Sequence, residues 1–143
     1  MIYLDTSFVT PMFRVETSSG KVADFISRQA AGMLAVSKWT GVEFASMVSR
    51  SVRMGVLAAD AGRNLVEVFD ATIAASFVLL APNSYDCDLA QEYTAHFSTH
   101  LRAPDALHLA IAHNNGAEFV ATLDEGMLAA AKKLKIPARR VIR

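Results

Sequence analysis

Short apolar runs alternate with longer segments of helical periodicity along the whole chain. A short apolar run that stops at a proline, a glycine or a polar residue is typical of a buried strand. Runs of this kind predict strands over residues 1–4, 33–36, 77–80 and 119–122, with a short last strand over 140–142. The first run stops at Asp5, so its strand is expected to end on a carboxylate.

Between these strands, apolar residues recur at spacings of three and four, which predicts helices with one buried face. The predicted helices cover residues 6–13, 21–30, 37–55, 58–75, 84–97, 104–115 and 124–134. Strands and helices that alternate in this way favour right-handed crossovers and parallel strand pairing. We therefore expect an α/β fold, a three-layer α/β/α sandwich with a mostly parallel sheet of four or five strands. Residues 1–4 are the expected central strand.

Composition narrows the class of protein. At 143 residues, with 52% hydrophobic and 20% charged residues, the chain fits one domain spanning 1–143 with a substantial core. Fourteen basic residues balance fourteen acidic ones, which argues against nucleic-acid binding through bulk positive charge. Cys87 is the single cysteine and is expected to be a core thiol. The apolar runs are too short for a signal peptide or a membrane span, so a cytoplasmic protein is expected.

Four acids stand out by their positions. Asp5, Asp105 and Asp124 each follow a predicted strand or begin a predicted helix, and Glu43 lies on the helix after the second strand. The carboxyl ends of parallel strands meet at one edge of a sheet, where the chemistry of open α/β folds is usually found. Four carboxylates at that edge would repel each other without a cation. Such a cluster would suit a hard metal ion that prefers oxygen ligands.

Each acid also has a purely structural interpretation, because carboxylates stabilise helix N-termini. Glu43 has the more specific alternative, since Thr40 and Glu43 have the spacing of a capping box. Ser37 is the better helix start if Trp39 lies inside the helix, and that start would leave Glu43 free. Asp86, Asp88 and Glu92 are interpreted as a solvated helix start and face.

Four short motifs resemble those of a known family. They are Leu4-Asp5-Thr6-Ser7, a helical Glu43, Asp105-Ala-Leu-His-Leu-Ala110 and Thr122-Leu-Asp124. As an ordered set over almost the whole chain, they resemble PIN-domain nucleases, particularly the toxins of VapBC toxin–antitoxin systems. The resemblance implies that Asp5, Glu43, Asp105 and Asp124 hold Mg²⁺ or Mn²⁺. It also implies that the hydroxyls of Thr6, Ser7 and Thr122 position these acids or a water.

By the same resemblance, the activity is hydrolysis of RNA phosphodiesters by a metal-activated water. The implied partners are an RNA substrate, a cognate antitoxin and a second copy of the chain in a homodimer. The chain departs from the family pattern two residues after Asp124, where many relatives carry another acid and this chain has Gly126. That departure argues against a second metal site. His108 either orients Asp105 or packs beneath it, and packing is favoured.

Two sets of cations compete as contacts for RNA. Six basic residues and no acid follow Gly126, and they form either a track for phosphates or a solvated helix face and tail: Lys132, Lys133, Lys135, Arg139, Arg140 and Arg143. The rival set is Arg14, Arg50, Arg53 and Arg102. The sequence does not rank them.

Two other functions fit the same fold class. An aspartate-based phosphatase or phosphoacceptor also uses a carboxylate at a strand end. However, such proteins would need a further acid at or near Ser7 or Thr6, and this chain has none there. A non-catalytic RNA-binding or protein-binding domain could retain the fold, although the presence of all four acids counts against loss of activity.

Overall fold

The computed structural model describes residues 1–142, whose centre is a parallel sheet of five strands. The strand order is β3-β2-β1-β4-β5, and every neighbouring pair is parallel. The strands are β1 Ile2–Leu4, β2 Leu34–Ser37, β3 Val78–Leu80, β4 Phe119–Ala121 and β5 Ala138–Arg139. The prediction of a parallel sheet with the first strand at its centre is confirmed.

Helices cover both faces of the sheet, which confirms the three-layer sandwich. They are α1 Thr6–Val9, α2 Ser19–Ser27, α3 Lys38–Arg53, α4 Ala59–Ser76, α5 Ser84–Ala95, α6 Ala103–Asn114 and α7 Glu125–Leu134, with 3₁₀ turns at Thr10–Met12 and Phe97–Thr99. Helices α1 to α4 supply core residues on one face, and α5 to α7 supply those on the other. Within residues 1–142, no helix is both long and apolar enough to cross a bilayer.

Alternation along β1 divides the core into two clusters. Ile2 and Leu4 pack on the face covered by α1 to α4, whereas Tyr3 packs on the opposite face. Tyr3 and Leu4 are fully buried. Because successive strand residues point to opposite faces, both layers of helices are held by this one strand. Asp5 follows it directly and is therefore fixed in space from both sides.

Helix α3 is fixed firmly against α4. The rings of Phe44 and Phe69 stack with their centroids 4.0 Å apart. At Gly62, an added Cβ would lie 2.9 Å from a methyl of Val52, so the two helices approach too closely there for a larger residue. This packing fixes the helix that carries Glu43.

Several predicted elements are shorter or shifted, among them α2, which covers Ser19–Ser27 rather than 21–30. The predicted helix over 6–13 stops at Val9 and continues as a 3₁₀ turn, because Pro11 has no N–H to donate to the preceding turn. The last strand lies at Ala138–Arg139 rather than at 140–142. Lys135 ends α7 in the left-handed conformation, and the chain then pairs at once, with Val120 N donating to Pro137 O at 2.9 Å.

The predictions for two side chains on α5 are wrong. Cys87 is exposed, and Asp86 is fully buried. Asp86, Ala90 and Tyr93 form the inward face at spacings of four and three, so Cys87 is turned about 100° away from the core. Asp86 accepts hydrogen bonds from Asn83 N at 2.9 Å and Asn114 Nδ2 at 2.8 Å. It is therefore a buried cap rather than a solvated acid, and Asn83 and Asn114 supply its partners.

Candidate active site at the carboxyl edge of the sheet

Backbone position brings the candidate acids to one edge of the sheet. Asp5 follows β1, Asp124 lies just beyond β4, and Glu43 is in the second turn of α3, which follows β2. Asp105 is in the first turn of α6. Ser37 caps α3 and forms the capping box with Thr40, so the alternative in which Glu43 closes the box is excluded. Glu43 is thereby free to take part in the site.

Asp5 lies almost entirely out of solvent, with 3% of its surface exposed. Its Oδ1 accepts the backbone N–H of Phe8 at 2.9 Å, so Asp5 is the N-cap of α1 as well as a candidate site residue. Its Oδ2 accepts the hydroxyl of Thr122 at 2.8 Å, and Ser7 Oγ lies 2.8 and 3.0 Å from the two oxygens. Capping and site chemistry are therefore not alternatives for this residue.

The hydroxyls of Ser7 and Thr122 position both Asp5 and the loop after β4. Each has a single proton, and each donates it to Asp5, so their 3.2 Å contact with each other carries no hydrogen bond of its own. Their oxygens accept in turn: Leu123 N donates to Ser7 at 2.9 Å, and Asp124 N donates to Thr122 at 3.0 Å. Thr122 thus joins Asp5 directly to the backbone of Asp124.

Glu43 is held from two other elements. Its Oε2 accepts from His108 Nε2 at 2.6 Å and from the hydroxyl of Thr6. The side chain of His108 is 2% exposed and that of Glu43 is 22% exposed, so the pair lies mostly out of water. The prediction that His108 orients Asp105 or packs beneath it names the wrong partner. The imidazole instead contacts Glu43, on α3.

Behind His108 the hydrogen bonds continue into the core. Tyr3 O–H donates to Ser37 Oγ at 2.8 Å, and His108 Nδ1 lies 2.7 Å from the same Tyr3 oxygen. Because the tyrosine proton goes to Ser37, the His108–Tyr3 bond needs a proton on Nδ1. The imidazole therefore joins the buried Tyr3 on one side to Glu43 on the other.

Arg102 bridges the remaining two acids. Its Nε donates to Asp105 Oδ2 at 2.9 Å, and a terminal nitrogen donates to Asp124 Oδ2 at 3.1 Å. Asp124 is also the N-cap of α7, with Oδ1 accepting from Met127 N at 2.8 Å. The arginine side chain is 68% exposed, whereas Asp105 and Asp124 are 15% and 29% exposed. Arg102 therefore lies on the solvent side of the candidate site, between two carboxylates.

The pKa shifts have distinct causes. Burial raises the pKa of Asp5 above its ordinary value, against the charge of His108 and the hydrogen bonds from Ser7 and Thr122. Burial also raises the pKa of Asp105, and the nearby charges of Asp124 and Glu43 add to the rise that Arg102 opposes.

Glu43 is shifted in the opposite direction. Burial alone would raise its pKa, but the hydrogen bond and charge of His108, with smaller contributions from Thr6 and Arg102, hold the pKa below its ordinary value. The edge therefore combines one well-stabilised carboxylate with two that favour a proton or a cation.

The donor set fits a hard divalent ion in its chemistry. Its candidate ligands are carboxylate oxygens, and Arg102 shows that two of them accept a cation between them. Within residues 1–142, no three histidine, cysteine or acidic side chains are arranged to ligate one ion together. The two acids paired with Arg102 would need to exchange that partner for an ion.

Two residues that contact His108 or its partner, Tyr3 and Ser37, are missing from the sequence prediction. Arg102 is predicted only as a possible RNA contact, and His108 is predicted beside Asp105 rather than Glu43. The spacing of Arg102 and Asp105 is a signal that could have found the first ion pair. Nothing local in the sequence indicates the contact between His108 and Glu43, which are 65 positions apart.

Comparison with known proteins gives one family and several structural neighbours. The PIN domain family model matches residues 2–133. No curated protein sequence is similar enough to this chain to count as a match.

Solved structures resemble the chain over most of its length. FitAcB from Neisseria gonorrhoeae is 21% identical, with a TM-score of 0.74 and 96% of both chains covered. VapC20 from Mycobacterium tuberculosis, described as a sarcin-ricin loop cleaving toxin, is 18% identical, with a TM-score of 0.66 and coverage of 91% of this chain and 95% of that one. A toxin–antitoxin complex from Klebsiella pneumoniae is 13% identical, with a TM-score of 0.61 and 87% of both chains covered. At identities this low, the structural similarity establishes a shared fold alone.

Proposed function

The chain belongs to the PIN domain family, and on that premise we propose that it is a metal-dependent endoribonuclease, the toxin of a type II toxin–antitoxin pair. The observation that carries the proposal is the set of four acids at the carboxyl edge of the sheet: Asp5, Glu43, Asp105 and Asp124. Two of them are bridged by a cation of the chain itself. Such an edge suits a divalent ion, which in turn would attract a phosphate.

In the proposed site, Asp5, Glu43, Asp105 and Asp124 hold Mg²⁺ or Mn²⁺. When bound, the ion would lower the pKa of a coordinated water and neutralise charge on the phosphodiester. Ser7 and Thr122 fix the two oxygens of Asp5 by donating to them. Thr6 and His108 fix Glu43 in the same manner. Asp5 and Glu43 thus enter the reaction already oriented, which lowers the cost of ordering them around an ion.

Arg102 has two roles in this proposal. It balances the charge of Asp105 and Asp124 before an ion binds. Once released, its exposed guanidinium is placed to donate to a phosphate oxygen beside the acids, and a planar, always-charged donor is suited to that contact. The same residue would therefore limit repulsion in the free protein and help hold RNA during cleavage.

The proposed partners follow from the structural neighbours and from exposed apolar side chains. One neighbour is a toxin–antitoxin complex, and another is described as a toxin that cleaves the sarcin-ricin loop. We propose that this chain likewise has an antitoxin partner, forms a homodimer and acts on cytoplasmic RNA. Exposed Tyr85, Phe97, Met54 and Val56 offer apolar surface for such contacts. Light scattering of the purified chain, alone and co-expressed with its adjacent gene product, tests both assemblies.

A cleavage assay tests the activity. Purified protein is incubated with structured and unpaired RNAs in Mg²⁺, Mn²⁺ or EDTA, beside an Asp5→Asn variant. The proposal requires cleavage with either ion, none in EDTA, and loss of cleavage in the variant. Equal cleavage in EDTA or by Asp5→Asn would contradict the metal mechanism. Silence towards every RNA, with retained binding, would favour a non-catalytic RNA-binding domain.

A further inference from the structure

A groove runs from the acidic edge along one face of α3. It encloses about 620 Å³, and its lining includes Glu43 at one end and Arg50 and Arg53 further along the helix. Arg102 and Pro104, at the start of α6, form part of the opposite wall. The groove thus begins at a candidate site residue and leads away from it.

The groove has a regular origin in the helix. Trp39, Glu43, Met47 and Arg50 follow one another at spacings of four, four and three, so they share one side of α3. At a rise of 1.5 Å per residue, Arg50 lies roughly 10 Å beyond Glu43 along the axis, and Arg53 lies roughly 15 Å beyond it. Arg50 and Arg53 therefore lie near Glu43 on the same helix but too far along it to pair with its carboxylate.

Arg50 and Arg53, unlike Arg102, have no acidic partners within the described part of the chain. Both are exposed, and Arg53 donates to the hydroxyl of Ser49 at 2.7 Å. Arg50 and Arg53 thus place two guanidinium groups without acidic partners along one groove, in a chain whose net charge is zero. Positive charge concentrated in this way points to a polyanion rather than to a neutral ligand.

Apolar surface lies between the charges. Trp39, Met47 and the 57% exposed Val42 line the groove. The indole Nε1 is itself covered and has no hydrogen-bond partner within residues 1–142, so Trp39 offers the groove ring surface rather than a donor. Basic groups interleaved with aromatic and apolar surface are characteristic of sites that bind unpaired nucleic acid, where bases are free to stack.

The other candidate cations are placed differently. Arg14 lines a separate hollow with Val56 and Leu65. Near the C-terminus, Arg139 stacks over Phe119, Arg140 pairs with Glu125, and Lys133 donates to a backbone carbonyl. Arg143 lies outside the described residues. The structure therefore ranks the arginines of α3 ahead of both Arg14 and these engaged C-terminal cations.

We propose that this groove binds an unpaired segment of RNA, with Arg50 and Arg53 holding phosphates next to the one that is cleaved. The proposal rests on the nuclease function and adds which side of the site the strand occupies. Arg50 and Arg53 are positioning residues for the substrate, because they contact phosphates other than the reacting one. Trp39, Val42 and Met47 supply the surface for bases.

Binding without cleavage tests the groove separately from the activity. The affinity of wild-type protein for a fluorescein-labelled, unstructured RNA is measured by anisotropy in EDTA over a range of salt concentrations. Arg50→Gln and Arg53→Gln are compared with Arg14→Gln and Arg28→Gln, which alter arginines on other elements of the fold. Circular dichroism melts establish that each variant is folded, and duplex RNA serves as the competitor.

The groove predicts a roughly three- to tenfold loss of affinity for each α3 variant and no change for the two controls. The slope of log affinity against log salt should fall by about 0.7 for each phosphate contact removed. Equal losses in all four variants would mean diffuse charge attraction and would overturn the proposal. So would unchanged binding by Arg50→Gln and Arg53→Gln, or competition by duplex RNA as effective as that by unpaired RNA.

The two proposals fail in different ways. If the wild type cleaves RNA but the α3 variants bind it normally, the groove is wrong and the nuclease function stands. If the wild type binds RNA through the groove but cleaves none in Mg²⁺ or Mn²⁺, the chemistry is wrong. If a protein partner rather than RNA loses affinity in Arg50→Gln and Arg53→Gln, the groove belongs to that partner.

Discussion

His108 Nε2 lies 2.6 Å from Glu43 Oε2 and so joins α6 to α3 across the candidate active site. The contact connects an acid on one face of the sheet to a histidine buried on the other. Tyr3, from the central strand, supports the far side of the imidazole. The orientation of Glu43 is therefore set by all three layers of the fold.

Replacement of His108 should weaken both the fold and the site. His108→Ala removes the partner of Glu43 and of Tyr3, and an unsatisfied buried polar group costs about 1–3 kcal/mol. Urea unfolding should show a loss of that order, and titration with Mn²⁺ should show weaker binding. His113→Ala, on the exposed side of the same helix, is the matched control. Unchanged Mn²⁺ affinity in His108→Ala would show that Glu43 does not depend on this contact.

Removal of the bridging cation should have the opposite effect on metal binding. Arg102→Gln frees Asp105 and Asp124, so a divalent ion no longer competes with the guanidinium. Ion pairs at exposed positions contribute up to about 1 kcal/mol each, so the loss of both corresponds to a gain in Mn²⁺ affinity of up to roughly thirtyfold. Arg63→Gln is the control, because Arg63 is equally exposed and also pairs three positions away, with Asp60. A fall in affinity would mean that Arg102 shapes the site instead of competing for it.

The stability of the metal-free protein should depend on pH through Asp5. Its pKa in the folded state is raised by burial. The stability that it contributes is therefore present below the pKa of the unfolded chain and is lost as pH rises through the raised value. In EDTA, Asp5→Asn should melt above the wild type at neutral pH, and the difference should shrink towards pH ~4. A difference that stays constant with pH would contradict the raised pKa.

Thr122 should matter through its hydroxyl rather than through its shape. Thr122→Val leaves Asp5 Oδ2 and Asp124 N without their partner, at a cost of about 1–3 kcal/mol, and should weaken Mn²⁺ binding. Thr122→Ser retains the hydroxyl and should bind Mn²⁺ like the wild type. Thermal melts and calorimetry distinguish the two effects. Equal Mn²⁺ affinity in the valine and serine variants would show that the hydroxyl of Thr122 does not contribute to metal binding.

Much of the fold could be predicted because its signals are local. Strand-length apolar runs and helical spacing give the order of elements, and parallel pairing then brings Asp5 and Asp124 to one edge. The membership of the PIN domain family is confirmed by a match over residues 2–133. The last strand was misplaced because a two-residue pairing carries little pattern of its own.

The contacts inside the site could not be predicted in the same way. Glu43 and His108 lie on helices that cover opposite faces of the sheet, and they meet at its carboxyl edge. No spacing along the chain encodes that contact. The sequence predicts a solvated acid at Asp86 because its partner Asn114 lies 28 positions away. Nothing local in the sequence distinguishes Arg102 from the other cations as the bridge between Asp105 and Asp124.

In the proposed site, four carboxylates together hold a divalent ion, and each of them contributes to its affinity. Calorimetric titration of Mn²⁺ into the wild type and into Asp5→Asn, Glu43→Gln, Asp105→Asn and Asp124→Asn tests it most directly. Asp88→Asn, which alters an exposed acid on α5, is the control. We predict binding by the wild type and the control, with at least about a tenfold loss, or 1.4 kcal/mol, in each of the four site variants. Wild-type affinity in all four site variants, or no binding by the wild type itself, would contradict the account.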